Sequence, residues 1–219
     1  MTRIPVYFMP GLAASSSIFE RIHLPEDQFE VHLLEWFLPE PNESLAAYAQ
    51  RMAAQVTDPT ALLVGVSFGG ILVQEMKAFL QPRKVVIISS VKSNREFPRK
   101  FKVARTTKAY KLIPTGLLQD VELLVKFAFG EKLKRKLHLY EQFLHMRDKR
   151  YLDWAIEQVM CWERTEVDPA VIHIHGTQDE VFPPKYLKNY VPVKDGTHAM
   201  ILSKYRWLNA HLPAILLQE

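Results

Sequence analysis

The sequence has little of three features that would assign it to a specialised class of protein. Cys161 is its only cysteine among 219 residues, which excludes an intrachain disulfide, favours a reducing compartment and predicts a cytoplasmic location. No apolar run approaches the roughly 18 residues of a membrane helix, and the sequence has no internal repeat or low-complexity tract. Hydrophobic residues make up 48% and charged residues 24%, so the composition indicates a globular protein and excludes a disordered chain or a collagen-like rod.

The net charge of +4 conceals an uneven distribution along the chain. Residues 91–150, here called the basic segment, carry sixteen Lys and Arg against six Asp and Glu, a net charge of +10. Such asymmetry can mark a surface for nucleic acid or an anionic membrane. We favour a solvated helical segment and expect no nucleic-acid partner, because charge alone points to one.

Short apolar runs alternate with helical patterns, which predicts parallel βαβ units and an α/β fold. The predicted strands are Ile4–Met9, Phe29–Trp36, Ala61–Val66, Lys84–Ser90, Ala170–His175 and, more weakly, Asn189–Val193. The predicted helices between and after them begin at an N-cap Asn42, at about Phe68 (ending near Leu80) and at about Tyr205 (ending near Leu217).

The strand pattern stops for about 75 residues after Ser90 and gives way to helical spacing. Three helices are predicted there, one through Leu117–Ala128, one through Leu133–Leu144 and one over Tyr151–Trp162. We therefore expect a single domain over residues 1–219, with a core of residues 1–91 and 163–219 and a helical cap insertion at about 92–162. Apolar residues of the cap face an acyl group or simply attach the cap to the sheet, and the pattern leaves both open for Leu117, Val121 and Phe127.

The segment Gly65-Val66-Ser67-Phe68-Gly69 matches the nucleophile-elbow pattern G-x-S-x-G. A predicted strand enters it and a predicted helix leaves it, a setting that presents the serine hydroxyl above the sheet on a strained turn. Gly65 and Gly69 allow the strand and the helix to approach closely. An ordinary glycine-rich turn is the alternative, and the strand–turn–helix setting favours Ser67 as a nucleophile.

A serine nucleophile needs a base and an acid that orients the base, and in this kind of fold both follow the serine along the chain. His198 and Asp179 each follow a predicted strand, at the edge of the sheet where sites form in open α/β folds. Glu180 and Asp195 are the rival acids. Two other histidines share one face of a strand and suggest a metal site, but no further ligand group supports one, so we expect structural roles for His173 and His175.

Acyl transfer also needs two amide N–H groups directed at the oxyanion of the tetrahedral intermediate. One is expected from Phe68, which follows the candidate nucleophile. The other is expected from Leu12 in the loop Met9-Pro10-Gly11-Leu12-Ala13-Ala14, here called the 9–14 loop. A proline–glycine pair after a strand is also a common turn, so this second assignment depends on the register of the loop.

These segments together resemble the α/β-hydrolase superfamily over nearly the whole chain, and in particular short bacterial serine hydrolases that begin with a strand and Pro-Gly-Leu. The resemblance implies a mostly parallel sheet of about six strands that lacks the first two strands of the family, with a helical cap. It also implies a catalytic triad of Ser67, Asp179 and His198, and hydrolysis through an acyl-enzyme without a cofactor or metal. Many relatives have His-Gly where this chain has Pro10-Gly11, so the anchoring of the 9–14 loop must differ.

The expected substrate is a small-molecule carboxylic ester or thioester. The basic segment favours a substrate with an anionic portion, such as an acyl-coenzyme A. Three alternatives remain open at this stage: an acyltransferase, a lyase with the same residues, or a ligand-binding protein of the same fold without turnover.

Overall fold

One parallel β-sheet forms the centre of the molecule. The computed structural model describes residues 3–112 and 142–218, and within these ranges the sheet has six strands in the order β2-β1-β3-β4-β5-β6. The strands are β1 (Ile4–Met9), β2 (Phe29–Leu33), β3 (Leu62–Val66), β4 (Lys84–Ile88), β5 (Val171–Gly176) and β6 (Val191–Val193). Every neighbouring pair is parallel, which confirms the predicted α/β class and the mostly parallel six-strand sheet.

The burial of the strands follows from their apolar sequences. All five residues of β3 are buried, and β4 is buried from Val85 onward, because helices cover both faces of the sheet centre. The edge strand β2 differs, since Val31 and Leu33 are 46% and 51% exposed. The carboxyl ends of the central strands therefore form a rigid edge on which loops can hold functional groups.

Four helices lie close to their predicted positions, with corrections at the ends, whereas the helices Arg99–Thr107 and Met200–Ser203 were not predicted. Their bounds are α1 (Leu45–Ala53), α2 (Phe68–Met76), α3 (Arg99–Thr107), α4 (Lys149–Cys161), α5 (Met200–Ser203) and α6 (Tyr205–Leu217). The prediction of Asn42 as the first N-cap was wrong. Ser44 caps α1 by accepting a hydrogen bond from the Ala47 amide at 3.2 Å, whereas Asn42 has a φ of 58° in the preceding turn.

Two strands end earlier in the structure than the sequence predicts. The strand predicted to reach Trp36 ends at Leu33, and beyond this end the indole of Trp36 donates to the carbonyl of Gly11. The strand predicted to reach Ser90 ends at Ile88, where Ser89 takes a φ of 49°. Both side chains beyond the strand ends, those of Trp36 and Ser90, support the candidate site described below.

The expected cap insertion lies only partly within the described residues. Helices α3 and α4 lie within its expected bounds, but the positions suggested to face an acyl group, Leu117, Val121 and Phe127, lie outside the described ranges. The helix predicted to end at Leu144 was wrong at that end, because Leu144 forms an antiparallel bridge with Ala14. The division into a core and a cap thus stays a prediction.

Carboxylates of residues 157–166 neutralise part of the basic segment. The exposed pairs are Arg95–Glu166 (3.7 Å), Arg105–Glu163 (3.7 Å) and Lys111–Glu157 (3.3 Å). Lys92 is instead buried, and its Nζ donates to the carbonyl of Asn189 at 3.0 Å. None of the helices in the described ranges is long and apolar enough to cross a membrane.

Candidate active site

Ser67 lies on the sharp turn between β3 and α2, at the carboxyl edge of the sheet. Its backbone is strained, with a φ of 52° and a ψ of −117°, values that non-glycine residues rarely adopt. The end of β4 holds this turn in two places. The Ser67 amide donates to the carbonyl of Ile88 at 2.9 Å, and the Ser90 hydroxyl donates to the carbonyl of Ser67 at 2.7 Å.

The two predicted elbow glycines lie where no side chain fits. A Cβ on Gly65 would lie 2.4 Å from the carbonyl oxygen of Gly69. A Cβ on Gly69 would lie 2.3 Å from the carbonyl oxygen of Pro10 and 2.5 Å from that of Met9. The absence of a side chain at Gly69 therefore brings the 9–14 loop into direct contact with the turn that carries Ser67.

The structure brings Ser67, His198 and Asp179 into one hydrogen-bonded series. The Ser67 hydroxyl lies 2.9 Å from His198 Nε2, and His198 Nδ1 lies 2.8 Å from Asp179 Oδ2. The carboxylate can only accept, so Nδ1 carries a proton and a neutral imidazole has its Nε2 lone pair toward the hydroxyl. Ser67 is partly exposed, whereas Asp179 and His198 are buried.

Two loops position Asp179 and His198 against each other. Asp179 follows β5, and its Oδ1 accepts the amides of Val181 and Phe182 at 2.8 and 2.9 Å. A Cβ on Gly176, at the end of β5, would lie 2.2 Å from the carbonyl oxygen of Gly196. Close backbone contact between these loops therefore fixes the separation of the carboxylate and the imidazole.

The environment of Asp179 favours its charged form. Burial by itself would raise the pKa of this carboxyl group, but the attraction and hydrogen bond of His198, together with His175 and the Phe182 amide, outweigh burial. The pKa of Asp179 consequently lies below its ordinary value. The rival acids are arranged differently: Asp195 accepts a hydrogen bond from Gln178 in an exposed turn, and Glu180 is exposed.

The predicted oxyanion donors lie on the two segments that meet at Gly69. The amides of Leu12 and Phe68 have no hydrogen-bond acceptor within residues 3–112 and 142–218. Gly11 lies directly beside the nucleophile, since a Cβ on it would be 3.4 Å from the Cβ of Ser67. These features make the two amides available to a ligand at Ser67.

Solved structures resemble this architecture over almost its full length. A hydrolase from Pseudomonas aeruginosa PA01 is 12% identical with a TM-score of 0.74, covering 99% of this chain and 91% of its own. The enol-lactonase from Burkholderia xenovorans LB400 is 14% identical with a TM-score of 0.74, covering 100% and 93%. A thermophilic esterase from Thermogutta terrifontis is 13% identical with a TM-score of 0.71, covering 98% and 90%.

The chain has the α/β-hydrolase fold. No protein-family model and no curated protein matches its sequence. At identities of 12–14%, the likeness to solved structures extends to the fold and not to an activity.

Two aromatic residues that were not predicted from the sequence contact the 9–14 loop. Trp36 donates its indole N–H to the carbonyl of Gly11 at 2.8 Å, and the hydroxyl of Tyr151 accepts from the amide of Ala13 at 3.3 Å. Burial raises the pKa of Tyr151, so its hydroxyl stays protonated. The only sequence feature that pointed toward them was Pro10, which predicted that the 9–14 loop is anchored differently but did not identify the residues that anchor it.

A pair of buried histidines lies behind Asp179. His175 Nε2 lies 2.9 Å from the carbonyl of Phe182 and 3.4 Å from Asp179 Oδ2, and its Nδ1 lies 3.0 Å from His173 Nε2. The carbonyl can only accept, so His175 is protonated on Nε2 and accepts from His173 at Nδ1. The described residues contain no group of three or more His, Cys, Asp or Glu side chains that could hold a metal ion.

Substituting Gly69 with alanine should destabilise the protein through the contact with the 9–14 loop. Alanine is the better helix former by about 1 kcal/mol, but its Cβ would overlap the carbonyl of Pro10, and overpacking of this kind costs about 1–3 kcal/mol. Denaturant unfolding measures the change. The matched control is Gly11→Ala, whose Cβ meets only ordinary contacts; equal stability losses in the two variants would contradict this account.

The buried histidine pair predicts a loss of stability in acid. Burial, with repulsion from His175 and Lys92, lowers the pKa of His173 well below 6.5, and burial lowers that of His175. Below pH 6.5 the unfolded chain therefore binds more protons than the folded one. The free energy of unfolding should fall with pH by up to about 1.4 kcal/mol per unit for each histidine.

This expectation is checked by denaturant titrations of wild type and His173→Gln between about pH 8 and pH 5. Glutamine keeps a donor for His175 but cannot titrate, so the variant should show a shallower pH dependence. The exposed His23→Gln provides the control and should follow wild type. A His173→Gln variant with the wild-type slope contradicts the assignment.

Proposed function

We propose that this protein is a serine hydrolase that cleaves a carboxylic ester or thioester through an acyl-enzyme. The observation that carries the proposal is the series of contacts at Ser67: 2.9 Å from its hydroxyl to His198 and 2.8 Å from His198 to Asp179. Nucleophile, base and orienting acid each lie within hydrogen-bond reach of the next. The amides of Leu12 and Phe68, which have no acceptor within residues 3–112 and 142–218, add the donors that acyl transfer requires.

In the acylation half of this mechanism, Ser67 Oγ attacks the substrate carbonyl as its proton passes to His198 Nε2. The carbonyl oxygen becomes an oxyanion, which accepts hydrogen bonds from Leu12 and Phe68. The tetrahedral intermediate then collapses and breaks the bond to the leaving alkoxide or thiolate. His198 returns its proton to the leaving alkoxide or thiolate, so the base is neutral again and the acyl group remains on Ser67.

In the deacylation half, water takes the place of the leaving group. His198 accepts a proton from the water, the resulting hydroxide attacks the acyl carbonyl, and Ser67 leaves with the proton that His198 carries. Asp179 orients the imidazole and stabilises its protonated form in both halves. The lowered pKa of Asp179 suits this role, because the carboxylate remains charged at neutral pH.

The proposed substrate class rests on chemistry and on the solved structures of similar fold. The esterase and the enol-lactonase are named for ester and lactone substrates, which agrees with acyl transfer to a serine. We extend this to an anionic substrate portion because of the basic segment, whose Arg99, Lys100 and Lys108 are exposed. Equal, salt-insensitive activity on neutral and anionic thioesters would remove that extension.

The proposal predicts that Ser67→Ala loses the ability to hydrolyse short-chain p-nitrophenyl esters. Removal of the nucleophile should lower kcat by at least about 10³-fold, since only binding and the oxyanion donors remain. The control Ser203→Ala removes an exposed hydroxyl bonded to the carbonyl of Ala199 and should retain wild-type kcat. Hydrolysis by Ser67→Ala at the wild-type rate would remove Ser67 from the mechanism.

A further inference from the structure

The 9–14 loop carries a proposed oxyanion donor, the Leu12 amide, but its residue Pro10 cannot anchor the loop by a hydrogen bond from an amide N–H or a side chain. Pro10 has neither an amide N–H nor a polar side chain with which to fix the loop. Ala13 in the same loop has a φ of 62°, a conformation that alanine adopts only when its surroundings hold it there. The loop therefore needs external contacts to keep the Leu12 amide in place.

Trp36 supplies the first of these contacts and joins the two proposed oxyanion donors. Its indole N–H donates to the carbonyl of Gly11, the residue before Leu12, at 2.8 Å. Its ring stacks on that of Phe68, with centroids 4.9 Å apart and an interplanar angle of 7°. One buried side chain thus contacts both the loop of the first donor and the residue that carries the second.

Tyr151, on α4, supplies a second contact and is also fully buried. Its hydroxyl accepts a hydrogen bond from the amide of Ala13 at 3.3 Å, whereas the amide of Leu12 has no acceptor in the part of the chain that the structure describes. The rings of Tyr151 and Trp36 touch, with centroids 5.4 Å apart. The two side chains therefore form one unit that bonds to the loop on either side of Leu12.

We infer that Trp36 and Tyr151 are positioning residues that hold the Leu12 amide in its place as an oxyanion donor. The indole fixes the carbonyl before Leu12, and the phenol fixes the amide after it. This inference rests on the proposed function, because it assigns a role within the same acyl-transfer site. It also accounts for the position of a loop in which Pro10 offers neither an amide N–H nor a polar side chain.

A purely structural role for the two side chains makes a different prediction. Trp154 belongs to the same aromatic cluster, and its ring also contacts that of Phe68, with centroids 5.9 Å apart, a contact between rings that phenylalanine can keep. Its buried indole N–H, which phenylalanine removes, donates at 2.8 Å to the carbonyl of Glu43, away from the 9–14 loop. Losing that bond should cost stability much as losing the Trp36 bond does. Only the variants at Trp36 and Tyr151 should also weaken oxyanion binding.

The test compares Trp36→Phe, Tyr151→Phe and the matched control Trp154→Phe with wild type on a p-nitrophenyl ester. Each substitution keeps an aromatic ring and removes the N–H or hydroxyl group. Trp36→Phe should lower kcat by about 10- to 100-fold, because a displaced donor is costly in the transition state. Tyr151→Phe, which removes only one oxygen, should lower kcat by about 2- to 10-fold.

Two further readouts separate positioning from general damage. KM should stay within about 3-fold of wild type, since the oxyanion forms only after binding. A trifluoromethyl ketone, which forms an oxyanion adduct with a nucleophilic serine, should lose affinity by the same factor as kcat/KM. Trp154→Phe should change kcat and ketone affinity by less than about 2-fold, and folding of all variants is verified by denaturant unfolding.

Three results would overturn this inference while leaving the proposed function intact, provided that wild type is active. They are an unchanged kcat in Trp36→Phe and Tyr151→Phe, an equal loss of kcat in Trp154→Phe, or an effect that is confined to KM. Tyr151→Phe keeps the test decisive if Trp36→Phe does not fold, because it alters only a hydroxyl. Folded wild type with neither ester hydrolysis nor a ketone adduct overturns the proposed function, and this inference with it.

Discussion

The contact between the elbow and the 9–14 loop is the constraint on which the rest of the site depends. Gly69 lies so close to the carbonyls of Met9 and Pro10 that a single Cβ would overlap both. This contact joins the ends of β1 and β3, neighbouring strands of the sheet, into one rigid support. Ser67 keeps its strained backbone there, and the amides of Leu12 and Phe68 stay without an acceptor among the described residues, because the surrounding packing determines their positions.

Burial of a charge at Asp179 is the second requirement of the site. A carboxylate in the interior is unfavourable unless hydrogen bonds and charge replace water. Two backbone amides and His198 do so here, and the pKa of Asp179 falls below its ordinary value despite burial. The neutral pair His175 and His173 extends the polar interior behind it, at the expense of stability in acid.

The parts of the site that were predictable lie in short segments of the sequence. The G-x-S-x-G pattern between a strand and a helix located Ser67, and the positions after β5 and β6 located Asp179 and His198. Trp36 and Tyr151 were not predictable, because they reach the 9–14 loop from segments 25 and 138 residues away. Helix and strand ends were less accurate. The capping bond of Ser44 and the positive φ of Ser89 are local features that periodicity does not contain, and Trp36 bonds to a residue 25 positions away.

The central claim, that Ser67 is the activated nucleophile, is tested most directly by reaction with a fluorophosphonate followed by peptide mapping. The reagent forms a stable bond to a serine whose hydroxyl is activated by a base and whose oxyanion is stabilised. We expect one phosphonyl group on the peptide that contains Ser67, and no label on folded Ser67→Ala. Folded wild-type protein that remains unlabelled, or that carries the label on another residue, would contradict the account.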